Sequence, residues 1–100
     1  MKLLQIDTSQ KGKVVVKCVV GSDEWVEERD QKFGSQVLLN MIEEVLKKGR
    51  VEMKELEGIE VETGPGSYTG IRVGVSVANA LSFALGIPVN GKQMETDLIY

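Results

Sequence analysis

From Gly70 to Gly86 a small residue returns at every fourth position: Gly70, Gly74, Ala78, Ser82 and Gly86. Between them stand Ile71, Val73, Val75, Val77, Leu81, Phe83 and Leu85, with Arg72 as the single charge. At about 100° per residue the small residues line up as one stripe along a helix, so something packs very close to it. The rest of the circumference is apolar, and a helix apolar nearly all round needs cover on every side. One small sheet in a chain of 100 residues does not supply that cover. Either an earlier helix of the same chain closes the remainder or a second chain does. The pattern favours an obligatory partner or self-association, because a soluble monomer of this size rarely exposes so large an apolar patch.

The rest of the chain supplies the sheet. Leu4 and Ile6 alternate with Gln5 and end at Asp7-Thr8-Ser9, and a polar stretch through Gly12 leads into Val14 to Val20. Gly21-Ser22-Asp23 marks a second turn before Trp25 to Asp30, whose charges suit an edge strand guarded against pairing with other chains. Ser35 reads as the N-cap of a first helix, Gln36 to Lys48, with Val37, Leu38, Met41, Ile42, Val45 and Leu46 at helical spacing and Gly49 as a left-handed stop. Glu43 and Glu44, four residues before Lys47 and Lys48, mark its solvent side. Arg50 to Gly58 is a loop or single helical turn, Ile59 to Val61 a short strand, and Gly64 to Gly70 a Gly-rich turn into the second helix, Thr69 to Leu85. Gly86 stops that helix and Ile87-Pro88-Val89 forms a last strand. The order βββαβαβ predicts one α/β domain over residues 1–100, with a mixed sheet and two main helices.

Composition removes several chemistries. With Cys18 as the single cysteine and no histidine, there is no internal disulfide, no His/Cys metal site and no imidazole base. A net charge of −3 argues against holding nucleic acid by this chain alone. The N-terminus reaches Asp7 after too few apolar positions for a secretion signal, and Asn79, Gly86 and Pro88 interrupt the longest uncharged run, so the expectation is a cytoplasmic chain without a membrane segment.

What remains is sparse. Asp7 and Glu62 end strands expected to be neighbours, as in a two-metal nuclease, yet Glu43 and Glu44 lie opposite the apolar stripe of the first helix and the constellation is incomplete. The Gly64-Pro65-Gly66 turn lacks the Lys-Ser/Thr ending of a nucleotide P-loop, and tight packing explains its glycines as well as phosphate binding does. Ser67 has no base to activate it and suits a capping role.

The run Gly64-Pro65-Gly66-Ser67-Tyr68-Thr69-Gly70-Ile71-Arg72-Val73-Gly74, with Ile6-Asp7-Thr8-Ser9, closely resembles the TsaB (YeaZ) family. The likeness continues through the second helix and Gly86-Ile87-Pro88-Val89, while Lys13 to Arg50 is generic apart from its order of elements. It implies an actin-like, ribonuclease H-like fold and a non-catalytic scaffold. That scaffold would pair with a TsaD-type transferase and a TsaE-type ATPase to place threonylcarbamoyl on the adenosine beside the anticodon of tRNA. It also implies no catalytic residue, metal or cofactor of the chain's own, ATP at the interface of the complex, and tRNA met only through the complex. TsaD-type enzymes bind metal through a His-x-x-x-His motif that this chain lacks.

The family forms a helical bundle with its partner through the two helices. Spacing alone then assigns Leu38, Met41 and Val45 to the sheet side, and Leu39, Ile42, Leu46, Val73, Val77, Ala80 and Ala84 to the partner. Two departures stand out. Gly34-Ser35 replaces a frequent His-Ser pair, and the second actin-like domain usual in the family is not expected within residues 1–100. Two competing readings remain: a hydrolase using Asp7, Thr8 and Ser9 with the Gly64-Pro65-Gly66 turn, or Asp7 with Glu62, and a regulatory homodimer through the same helices.

Overall fold

Alternating burial organises the sheet. In the computed structural model, which describes residues 1–30 and 34–99, the strands are β1 (Lys2–Asp7), β2 (Val14–Val20), β3 (Asp23–Arg29) and β4 (Gly58–Val61). They run in the order β3-β2-β1-β4. β1 pairs antiparallel with β2, Ile6 opposite Val16, and parallel with β4, Ile6 beside Val61. Leu4, Ile6, Val14, Val16, Cys18, Ile59 and Val61 are buried on one face. Helices α1 (Ser35–Lys48) and α2 (Tyr68–Leu85) both lie on that face, α1 against β2 and β3, α2 against β1 and β4. Leu38, Met41, Ile42, Val45 and Leu46 of α1 and Ile71, Val75, Val77 and Ala78 of α2 complete the core. The mixed α/β fold is the one expected.

Several details differ from expectation, each for a packing reason. Ser35 begins α1 instead of capping it, and Gly34 occupies the cap position with extended backbone. Gly49 is right-handed, with φ −82°, and the left-handed residue is Arg50, with φ 54°. The helix closes as a Schellman motif: Val51 N–H donates to Leu46 at 2.9 Å and Arg50 N–H to Lys47 at 3.1 Å, with both Leu46 and Val51 buried. Glycine is needed at 49 for proximity, since a Cβ there would lie 2.9 Å from Cys18 Sγ and 3.0 Å from the Trp25 ring. Lys48 reaches across to Glu27 of β3 at 3.3 Å. The loop after α1 holds one 3₁₀ turn, Met53–Glu55, tied to β1 where Lys2 meets Glu55 at 2.6 Å.

The last strand is reduced to a single parallel bridge, Ile59 with Val89. Asn90 and Gly91 both adopt positive φ, 52° and 73°, and reverse the chain as a tight turn closed by Val89 and Lys92. The Asn90 side chain then takes the place of a strand residue: its Oδ1 accepts from Val61 N–H at 2.8 Å and its Nδ2 donates to Val61 C=O at 3.0 Å.

Candidate partner-docking face

The small-residue stripe of α2 is consumed inside the chain. A Cβ on Gly70 would lie 2.1 Å from the Thr8 carbonyl oxygen, and one on Gly74 the same distance from Thr8 Oγ1. Thr8 follows directly on β1, is fully buried, and donates its hydroxyl to the Gly70 carbonyl at 2.6 Å. Further along, Ala78 and Ser82 are buried as well. The close neighbour predicted for this stripe is therefore the end of β1, and the chain itself covers this side of α2.

That contact fixes the rotation of the helix. Ser67 caps its start by accepting from Gly70 N–H at 3.3 Å, and Gly86 ends it in the left-handed region with φ 67°, both as expected. The outward face then presents Tyr68, Thr69, Arg72, Ser76, Ala80, Phe83 and Ala84, all exposed. The Arg72 guanidinium lies 5.4 Å from the centre of the Tyr68 ring. Phe83 is 90% exposed, an unusual position for a large apolar side chain beside a packed core.

The partner assignments made from spacing divide accordingly. Leu39 and Val73 are half-buried, and Ala80 and Ala84 face out. Ile42, Leu46 and Val77 are corrected to core residues, because α1 and α2 turn them toward each other and the sheet. Phe83 was missed. The signal was present, since Thr69, Ser76 and Phe83, seven apart, point almost directly away from a stripe centred on Ala78. An apolar pattern on all sides hid that phase until the stripe was known to face inward.

The anion-binding candidates are largely occupied. Thr8 is corrected to a structural wedge, its hydroxyl already bonded and out of reach of a ligand. Ser9 is buried, and both its N–H and hydroxyl donate to Asp7 Oδ1, at 2.9 and 2.6 Å. A Cβ on Gly66 would lie 2.3 Å from the Ser9 carbonyl, so this glycine also serves close packing. The hydroxyls of Thr8 and Ser9 are therefore already engaged within the chain. Asp7 ends β1 as expected, whereas Glu62 falls one residue beyond β4, its N–H bonded to the Ile6 carbonyl at 2.9 Å. They line a shallow depression of about 690 Å³ on the sheet face away from the helices, together with Gln10, Lys13, Glu60 and Asn90. No group of three or more His, Cys, Asp or Glu able to hold a metal ion occurs among the described residues. Nor is any helix among them long and apolar enough to cross a membrane.

The sequence model of the TsaD family, described as tRNA N6-adenosine threonylcarbamoyltransferase, matches residues 28–92. The tRNA threonylcarbamoyladenosine biosynthesis protein TsaB of Haemophilus influenzae is 32% identical over 89 residues, 89% of this chain and 38% of that protein. The chain belongs to the TsaB/YeaZ branch of the TsaD family. YeaZ from Pseudomonas aeruginosa superposes with a TM-score of 0.81 at 29% identity, over 88% of this chain and 41% of its own. The tRNA N6-adenosine threonylcarbamoyltransferase of Geotalea uraniireducens is 38% identical over 56 residues, 56% of this chain and 16% of that enzyme. This chain thus spans about two fifths of the length of the Haemophilus influenzae TsaB and Pseudomonas aeruginosa YeaZ proteins.

Proposed function

We propose that the chain is a non-catalytic subunit of tRNA threonylcarbamoyladenosine biosynthesis, docking a TsaD-type transferase through the outward face of α2. The observation that carries this reading is the face itself: Ser76, Ala80 and Ala84 are small enough to let another helix approach closely, and Phe83 stands beside them almost fully exposed. Kinship with TsaB supports the process, and a sequence without histidine supports a role beside the catalyst. The contact zone is narrower than spacing suggested: Ser76, Ala80, Phe83 and Ala84, flanked by Leu39 and Val73. ATP and a TsaE-type ATPase enter, on this reading, through the assembled complex, and so does tRNA.

Light scattering on a size-exclusion column tests it, with the chain alone and then mixed with the TsaD-type protein of the same genome. A stoichiometric heteromer that Phe83→Asp abolishes supports the proposal. A monomer indifferent to the transferase, or a homodimer that the transferase leaves intact, overturns it.

A further inference from the structure

One buried carboxylate has no part in the docking face. Glu95 is 5% exposed, although Met94 beside it is 58% exposed and Ile99 is 60% exposed. Its Oε1 accepts from Asn90 Nδ2 at 2.8 Å. Its Oε2 accepts from Lys92 Nζ at 2.7 Å and from the backbone N–H groups of Thr96 and Asp97 at 3.1 and 3.5 Å. The backbone of the same residue is gripped from α2, where Asn79 Oδ1 accepts from Glu95 N–H and Asn79 Nδ2 donates to the Glu95 carbonyl, both at 2.9 Å. Through Asn90 the carboxylate also connects to the outer edge of β4, because that side chain holds the N–H and C=O of Val61. Further along, Ile99 N–H donates to the Thr63 carbonyl at 2.8 Å, and the Ile99 backbone sits so close to Gly64 that no side chain fits between them.

Packing contributes little to this arrangement. From residue 91 to 99 Leu98 is the one apolar side chain resting against the core, and Gly91, Lys92, Gln93, Met94, Thr96, Asp97 and Ile99 are exposed. A segment held by polar bonds to one carboxylate, with few buried apolar contacts, belongs to the low-stability end of a structure and opens before the core does. Hydrogen bonds that share a single hub also fail together, because removing the hub leaves each partner without its counterpart.

We infer that residues 90–99 form a strap, fastened at Glu95, that seals the Val61 end of the outer edge of β4 and the Gly64 turn and opens as one unit while the sheet and helices stay folded. Open, the strap frees the N–H and C=O of Val61 and the carbonyl of Thr63, uncovering the end of β4 beyond the bridge that Val89 makes to Ile59. This inference is independent of the docking role of α2.

Amide hydrogen exchange on the full chain, followed by NMR, tests it. Glu95→Ala is expected to accelerate exchange at Val61, Thr96 and Ile99 by a common factor of tenfold or more, leaving Leu4, Val16 and Ile42 unchanged. Asn79→Ala, which removes the α2 anchor alone, is expected to accelerate the same set and decides the matter if Glu95→Ala does not fold. Acceleration confined to Thr96, with Val61 and Ile99 unaffected, overturns the idea of one unit. Equal acceleration of the core amides overturns the idea of a separate strap.

Discussion

Replacing Gly74 with alanine separates a stripe that serves the monomer from one that serves a partner. In an exposed helix interior the change stabilises by about 1 kcal/mol, through the helix preference of alanine over glycine. Here the new methyl would lie 2.1 Å from Thr8 Oγ1 and 3.2 Å from Thr8 Cβ. Thr8 cannot rotate away freely, because it is fully buried and its hydroxyl is bonded to the Gly70 carbonyl. Forced overpacking costs about 1–3 kcal/mol. A buried hydroxyl left without a partner costs about 1–3 kcal/mol more. Set against the helix gain, Gly74→Ala is expected to destabilise the isolated chain by roughly 3 kcal/mol. Urea unfolding followed by fluorescence of the single tryptophan, Trp25, measures this directly. The double variant Thr8→Ala with Gly74→Ala removes the clashing oxygen, so its loss should be smaller than the sum of the two single losses by at least about 1 kcal/mol. A neutral or stabilising Gly74→Ala, or additive single losses, would refute the claim that the end of β1 sets the rotation of α2.

Three further expectations follow from the same geometry. Ala80→Glu should leave the urea midpoint of the isolated chain within about 0.5 kcal/mol of wild type, as surface changes do, while blocking the heteromer on size exclusion. Val77→Glu should do the opposite and unfold the isolated chain, because Val77 is a core residue and an unpaired buried charge costs several kcal/mol, visible as loss of the far-ultraviolet helical signal. For Glu95, burial alone would raise the carboxyl pKa. Lys92, Asn90 and the Asp97 amide outweigh that and hold it below the ordinary carboxylate value, while the same contacts with Glu95 and Asp97 raise Lys92. A depressed folded-state pKa means that the stabilisation is present above the ordinary carboxylate range and is lost as pH falls through the folded value. Acid titration of wild type against Glu95→Gln should therefore show the stability difference shrinking at the acidic end; a difference that grows there contradicts the assigned bonding.

The sheet was legible because alternation and turns carried it: Leu4 and Ile6 against Gln5, and β4 falling beside β1 as the order of elements required. The caps of α2 were equally legible, since Ser67 and Gly86 are the residues those positions prefer. Gly49 misled for an instructive reason. A glycine at the end of a helix suggests a left-handed turn, but here it clears space for Cys18 and Trp25, two strands distant in sequence, and Arg50 takes the strained conformation. Three of the partner-side assignments failed in the same way. Ile42, Leu46 and Val77 have the spacing of an interface, and burial by α1, α2 and the sheet is a tertiary fact that one-dimensional periodicity does not contain. The burial of Glu95 was not legible, because the grip on its backbone comes from Asn79, sixteen residues earlier on α2.

The wedge of Thr8 between the glycines of α2 also divides the helix into positions with different freedoms. Residues that touch β1 answer to the fold, and a change at any of them is felt as lost stability. Thr69, Ser76, Ala80, Phe83 and Ala84 face water in the isolated chain and carry almost none of that burden. Substitutions along one side of this helix are therefore tolerated while the architecture is kept by the other.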